Sequence, residues 1–205
     1  MNILSIETST DWCGIALIVN GKCLKKIQEK TPRGHSENLP TYYNKLINDS
    51  KFFNGKIDAI SVSIGPGSFT GLRIGLGFAK GLAFSKGLPI IPVPTLEIIS
   101  NSYNHNYTKF RVYLFSHRDI VYHQEYNGGI PVKSPKASSW DSVNHFKDGI
   151  HYGCDKLLNG KKYFSTYPLV EISGLLAYKN IKNWIVEEPY DLVPNYISPF
   201  ELGNR

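Results

Sequence analysis

A carboxylate followed at once by three hydroxyls, Glu7-Thr8-Ser9-Thr10, closes the first apolar run of this 205-residue chain. An acid at such a place can hold Mg²⁺ through water while the hydroxyls meet phosphate oxygens. The same hydroxyls can equally do no more than satisfy a hairpin turn. Glu7, Thr8 and Ser9 are therefore candidate phosphate or nucleotide residues. A second cluster, Gly65-Pro66-Gly67-Ser68-Phe69-Thr70-Gly71, stands between an apolar run and a helix-like segment, where backbone N–H groups and a helix dipole can hold a phosphate. A nucleoside-triphosphatase loop ends in Gly-Lys-Ser/Thr, whereas this one ends Thr70-Gly71-Leu72-Arg73, which excludes that class. A dinucleotide site needs an acid about twenty residues further on, and Pro89 to Val93 offers none. Plain turn geometry with Ser68 as N-cap stands beside the phosphate reading. The six histidines (35, 105, 117, 123, 145 and 151) form no H-x-x-x-H pair. Cys13, Cys23 and Cys154 show no C-x-x-C spacing. Neither a metal set nor a disulfide framework is expected, and no catalytic constellation assembles.

The helix after Ser68 is more informative. Glycines stand at 71, 75, 77 and 81, and each interior glycine costs about 1 kcal/mol relative to alanine. Close packing must offset that cost. Gly71, Gly75 and Ala79 fall on one stripe, Gly77 and Gly81 on a neighbouring one, so two sides of the helix admit another backbone. One stripe can face the protein's own sheet and the other a second helix, in the same chain or in a partner. The pattern leaves open which is which, and also whether both pack internally.

The elements that must position these residues follow from periodicity. Asn2 to Ile6, Ile15 to Val19 and Lys22 to Lys30 read as three antiparallel strands, with Asn20-Gly21 as a tight hairpin turn. His35 to Asn48 carries Leu39, Tyr43, Leu46 and Ile47 at helical steps, with Pro40 expected in its first turn. Ile57 to Ile64 reads as a buried strand, Phe69 to Ser85 as a helix, Leu88 to Val93 as a strand and Leu96 to Tyr103 as a helix. Phe110 to Phe115 and Ile120 to Tyr126 form two further strands turning at Arg118-Asp119. Beyond Gly128-Gly129 the pattern weakens to scattered turns, a helix near Leu169 to Asn180 and a Pro-rich tail. Three strands, helix, strand, helix, strand is the order of a ribonuclease-H-like lobe. Its partial repetition gives an α/β protein of two lobes, 1–105 and a shortened 106–205, the latter too small for a nucleotide-clasping domain of the actin and sugar-kinase type.

Composition bounds the rest. A 41% hydrophobic content argues against disorder, and the formal charge of +6 suits a polyanion such as RNA if the cations cluster. The densest stretch, Lys22, Lys25, Lys26, Lys30 and Arg33, sits on an expected exposed strand, so a solvated face explains it as well as a nucleic-acid surface does. The apolar runs are too short for a membrane span, and unpaired cysteines suit a reducing compartment, so the expected location is the cytoplasm.

In order and spacing, Met1 to Thr10, His35-Ser36-Glu37-Asn38-Leu39-Pro40, Ser63 to Gly75 and Ala79-Lys80-Gly81-Leu82-Ala83 resemble the TsaB (YeaZ) family. The string Gly-Pro-Gly-Ser-Phe-Thr-Gly-Leu-Arg-Ile-Gly from 65 to 75 is the most diagnostic, and the likeness covers about the first hundred residues. The resemblance implies an actin-like ATPase (ASKHA) fold without activity of its own. It also implies service as a subunit in making threonylcarbamoyladenosine in tRNA, beside the catalytic TsaD paralogue and the TsaE ATPase. It implies docking on TsaD, or self-pairing when alone, through the helices beginning near Ser36 and Ser68. The expected docking residues are His35, Ser36, Leu39, Tyr43, Ser68, Gly71, Leu72, Gly75, Gly77, Phe78 and Ala79. It implies no cofactor of the chain's own, ATP or ADP only in the assembled complex, and tRNA contact through that complex. An enzyme, either a residual ATPase or an M22-type peptidase-like protein, and an autonomous RNA-binding module are the competing classes. The chain departs from the family at Phe115 to Tyr122, where an Asp-Ala-Arg-like segment is usual, and at Ser198, where the tail usually carries Arg.

Overall fold

A computed structural model describes residues 1–48 and 55–197; Ser198 lies outside them. Strands β1 (Asn2–Glu7), β2 (Trp12–Val19) and β3 (Lys22–Lys30) form the expected antiparallel meander. Asn20 and Gly21, with φ of 48° and 76°, make the tight turn whose two positive-φ residues match the strand twist. Helix α1 (His35–Asn48) leads to β4 (Ala59–Gly65), then α2 (Phe69–Lys86), β5 (Ile90–Pro94) and the short α3 (Thr95–Asn101). The strand order is β3-β2-β1-β4-β5, with β4 and β5 parallel to β1. Pro40 is not in the first turn of α1: it is the helix's sixth residue, on an exposed face, so one i→i−4 hydrogen bond is missing from the second turn.

Period-two alternation sends the residues of β1 to opposite faces. Leu4 and Ile6 join Leu39, Leu46, Leu76 and Ala79 beneath α1 and α2. Ile3 joins Ala16, Ile18, Val170 and Ala177 under α5 (Val170–Trp184) on the other face. The weak helix expected near 169–180 is thus a full helix. It does not belong with the second lobe, where the division at 105/106 placed it. Gly174 lets it lie against Ile18 and Ser5, and Ser5 Oγ donates to the Val170 carbonyl at 3.0 Å. The bare face of the first sheet needs this cover.

The second sheet contains β6 (Lys109–His117), β7 (Ile120–Asn127), β8 (Ile130–Pro131), β9 (Lys136–Ser139), β10 (Gly149–Tyr152) and β11 (Phe164–Ser165). Its order is β11-β10-β6-β7-β8, with β9 also on β7 and the short α4 (Trp140–Val143) following. The divergent segment 115–122 is the β6–β7 hairpin, turning at Arg118 with φ of 52°. The lobes are tied where Trp12 stacks on Tyr167 at 3.7 Å and the Tyr152 hydroxyl donates to Asp11.

Candidate functional site

The turn between β1 and β2 and the first turns of α2 are fitted into one another. Ser68 caps α2, its Oγ accepting from Gly71 N at 3.2 Å, and its own N–H donates to the Ser9 carbonyl at 2.7 Å. Thr8 Oγ1 donates to the Gly71 carbonyl at 2.8 Å. A Cβ on Gly67 would come within 2.2 Å of the Ser9 carbonyl oxygen, one on Gly71 within 2.2 Å of the Thr8 carbonyl oxygen, and one on Gly75 within 2.1 Å of Thr8 Oγ1. None of those distances is tolerable, so these glycines exist to let α2 press on the β1–β2 turn. His35 completes the joint, its Nε2–H donating to the Thr10 carbonyl at 2.9 Å.

This arrangement fills the place offered to a phosphate. Glu7, Thr8 and Ser9 are all buried, and their polar groups are turned inward. Ser9 donates to Glu7 Oε1 from both N, at 2.6 Å, and Oγ, at 2.5 Å. Among the described residues Glu7 Oε2 meets no partner, and burial lifts the carboxyl from 4.5 to about 7 against the opposing pull of the Ser9 hydrogen bonds. The reading of Glu7, Thr8 and Ser9 as a ligand site is therefore corrected: a ligand would have to displace the N-terminal turn of α2. Among the described residues, no three His, Cys, Asp or Glu side chains converge as metal ligands would. The Ser138 and His123 side chains meet at 3.0 Å, with the imidazole pushed down to about 4 by burial and then by the charges of Arg111 and Lys136.

The expected docking residues divide sharply. His35, Leu39, Gly71, Leu72, Gly75 and Ala79 are buried beneath the helices and cannot form a contact surface, which corrects their assignment. Ser36, Ser68 and Gly77 are exposed, and Tyr43 and Phe78 are half-buried and meet edge-on at 6.0 Å. Among the described residues, Gly77 and Gly81 have nothing within 4 Å of an added Cβ, so theirs is the outward stripe. Ile74 and Leu82 flank it, one helical turn either side of Phe78, partly buried against the core with Ile47. Continuing the spacing from Phe78 by four residues in each direction would have found both in the sequence.

The other flank of α2 is covered by the chain's own tail, which no periodicity announced. Residues 190–196 run antiparallel to the helix. Lys80 Nζ donates to the Tyr190 carbonyl at 2.7 Å, and Tyr190 meets Phe84 edge-on at 6.3 Å. Six residues on, Tyr196 accepts from Arg73 Nε at 2.8 Å and packs on Phe69 at 5.2 Å. What remains open is a shallow apolar strip bounded by α1 on one side and the tail on the other, with two glycines along its floor. Separately, a cavity of about 450 Å³ opens at the carboxyl ends of β4 and β5, among Pro66, Pro94, Glu97, Gln124, Lys133 and Asn195.

The comparisons with known proteins bear on the family and the fold. The family described as "TsaD: tRNA N6-adenosine threonylcarbamoyltransferase" matches residues 27–130. The tRNA threonylcarbamoyladenosine biosynthesis protein TsaB of Haemophilus influenzae is 34% identical over 102 residues, which are 50% of this chain and 43% of that protein. The protein of the same name from Buchnera aphidicola of Acyrthosiphon pisum is 28% identical over 207 residues, covering 98% of this chain and 88% of its own length. The solved structure of YeaZ from Pseudomonas aeruginosa superposes with a TM-score of 0.80 at 25% identity, over 95% of this chain and 99% of that one. The ethanolamine utilization protein EutJ of Carboxydothermus hydrogenoformans, at 7% identity and a TM-score of 0.55 over 86% of this chain and 90% of that one, shares the fold alone. The two-sheet α/β architecture is that of the actin-like ATPase class.

Proposed function

The chain belongs to the family of that match, in its TsaB (YeaZ) branch, and on that premise we propose that it is a non-catalytic subunit in the formation of threonylcarbamoyladenosine in tRNA. It docks a TsaD relative through the outer strip of α1 and α2. The observation that carries this reading is the pair Gly77 and Gly81, exposed in mid-helix with open space above them among the described residues. Glycine there weakens the helix and fills no internal need. Among half-buried Tyr43, Ile74 and Phe78, it allows a second helix to approach at backbone distance.

Without the TsaD relative the same strip pairs two copies of the chain. A TsaE-like ATPase joins the assembled complex, any ATP or ADP is held there rather than by the free chain, and tRNA is engaged by the assembly. Co-elution of the purified chain with the TsaD relative of its own host tests the reading, with Gly77→Leu as the discriminating variant. A leucine on the strip separates the two backbones, and overpacking of about 1–3 kcal/mol weakens binding about five- to a hundred-fold. The variant keeps the parent's circular dichroism and melts no lower than the parent. Failure of the parent to co-elute, or unaltered affinity of the folded variant, overturns the docking surface.

A further inference from the structure

A cavity of about 350 Å³ lies beside the edge of the second sheet, lined by Tyr103, Asn104, His105, Asn106, Tyr107 and Phe164. Four of those six side chains are aromatic. The first five belong to the loop between α3 and β6, and Phe164 lies on β11, the edge strand of the second sheet. The rings surround the space rather than fill it. Tyr103 stacks on Phe164 at 4.3 Å, His105 on Tyr107 at 5.2 Å, and Phe164 keeps 40% of its surface exposed. Fully buried Phe110 backs His105, edge-on to it at 4.3 Å. Tyr107 N–H donates to His105 Nδ1 at 3.2 Å, which leaves the proton of the neutral imidazole on Nε2. The amides of Asn104 and Asn106 are exposed beside the rings.

Flat π-faces with donors and acceptors at their rim fit a flat ligand whose edge carries hydrogen-bonding groups. The stretch of chain that carries them is net basic. From Tyr103 to Pro168 nine Lys and Arg stand against five Asp and Glu. Lys109, Lys161 and Lys162 lie within three residues of a ring of the cluster, while Asp148, whose charge reaches Tyr107, has Lys147 beside it. We propose that this aromatic loop and edge strand bind an unpaired nucleotide of an RNA strand, the base stacked on the Tyr103–Phe164 rings and the phosphates met by the neighbouring lysines. The choice of RNA rests on the tRNA reading above, whereas the site itself is independent of the α1–α2 strip.

The test uses the full chain and a fluorescein-labelled single-stranded oligoribonucleotide of about ten nucleotides, titrated by anisotropy at several salt concentrations. Tyr103→Ala and Phe164→Ala each weaken binding about five- to a hundred-fold, the range for losing one stacked base. Tyr103→Phe and Phe164→Tyr keep the stacking and bind like the parent. Lys161→Gln with Lys162→Gln lowers the salt slope by about one for each phosphate that is no longer neutralised, and leaves the folded chain intact. Co-elution with the TsaD relative is measured on the same variants and is unchanged. An RNA affinity that the folded alanine variants leave unaltered, or no binding by the parent, overturns the proposal. So does loss of TsaD co-elution with RNA affinity intact, which would make this face a protein-docking surface. Failure of the parent to meet TsaD while its RNA binding follows the rings would instead overturn the docking strip alone.

Discussion

At the scale of single residues, the four glycines of α2 are two different kinds of position. Gly71→Ala forces a methyl group onto the Thr8 carbonyl, so we expect a loss of about 1–3 kcal/mol despite the better helix propensity. Gly77→Ala meets nothing and should gain about 0.5–1 kcal/mol. Urea denaturation of the two variants checks both signs at once. Glu7 makes a second prediction. Its folded carboxyl titrates near 7 rather than 4.5, so between those values the native chain holds a proton the unfolded chain has lost. The contribution of this group to stability is therefore full below pH 4.5 and declines as pH rises to about 7, by about 3 kcal/mol in all. Glu7→Gln keeps an acceptor for Ser9 and removes the charge. Thermal melts at pH 5 and pH 8 should show the variant gaining on the parent as pH rises, and a pH-independent difference between them would refute this account.

At the scale of elements, α5 is what closes the first lobe. Val170 and Ala177 are buried on the face of the sheet opposite α1 and α2, and Lys26 on β3 pairs with Glu171 at its start. A methyl group at Gly174 would stand 2.4 Å from Ile18 Cγ1 and 3.0 Å from Ser5 Cβ. Gly174→Ala should therefore cost about 1–3 kcal/mol, read as a lowered urea midpoint with an unchanged slope. A chain ending at Pro168 would leave Ile3, Ala16 and Ile18 facing water, and it should be recovered only in the insoluble fraction. The tail on α2 is a lesser element. Its hydrogen bonds and ring packings lie along the helix surface and narrow the open strip, while Leu192 packs on the core and Asn195 N–H donates to the Ile64 carbonyl at 2.7 Å.

For the whole molecule, the proposal that one strip serves two alternatives predicts that self-pairing and binding of a TsaD relative exclude each other. Light scattering at tens of micromolar should find the parent at least partly dimeric, Gly77→Leu monomeric, and the parent's dimer replaced by a one-to-one complex as the TsaD relative is added. A ternary species that retains the dimer would require a second surface. The lobes themselves are held as a unit by the Trp12–Tyr167 stack and by Asp11, which accepts from Tyr152 and pairs with Lys30 at 3.3 Å.

Local physics made much of this readable in advance. Alternation fixed the three opening strands, three- and four-residue steps fixed α1 and α2, Asn20-Gly21 fixed the hairpin, and Ser68 fixed the cap, because each depends only on near neighbours in the chain. The glycine spacing announced two close-approach stripes on α2. It held no information on which faced inward, because that depends on where Thr8 and Ser9, some sixty residues away, come to rest. The same packing turned Glu7, Thr8 and Ser9 from a possible ligand site into an internal joint, and it buried six of the residues expected at the docking surface. The return of α5 to the first sheet, the tail along α2 and the ring cluster shared by residues 103–107 and Phe164 join segments far apart in sequence. Such pairings are selected by which surfaces remain uncovered after the strands and helices have formed, and only the tertiary structure decides that.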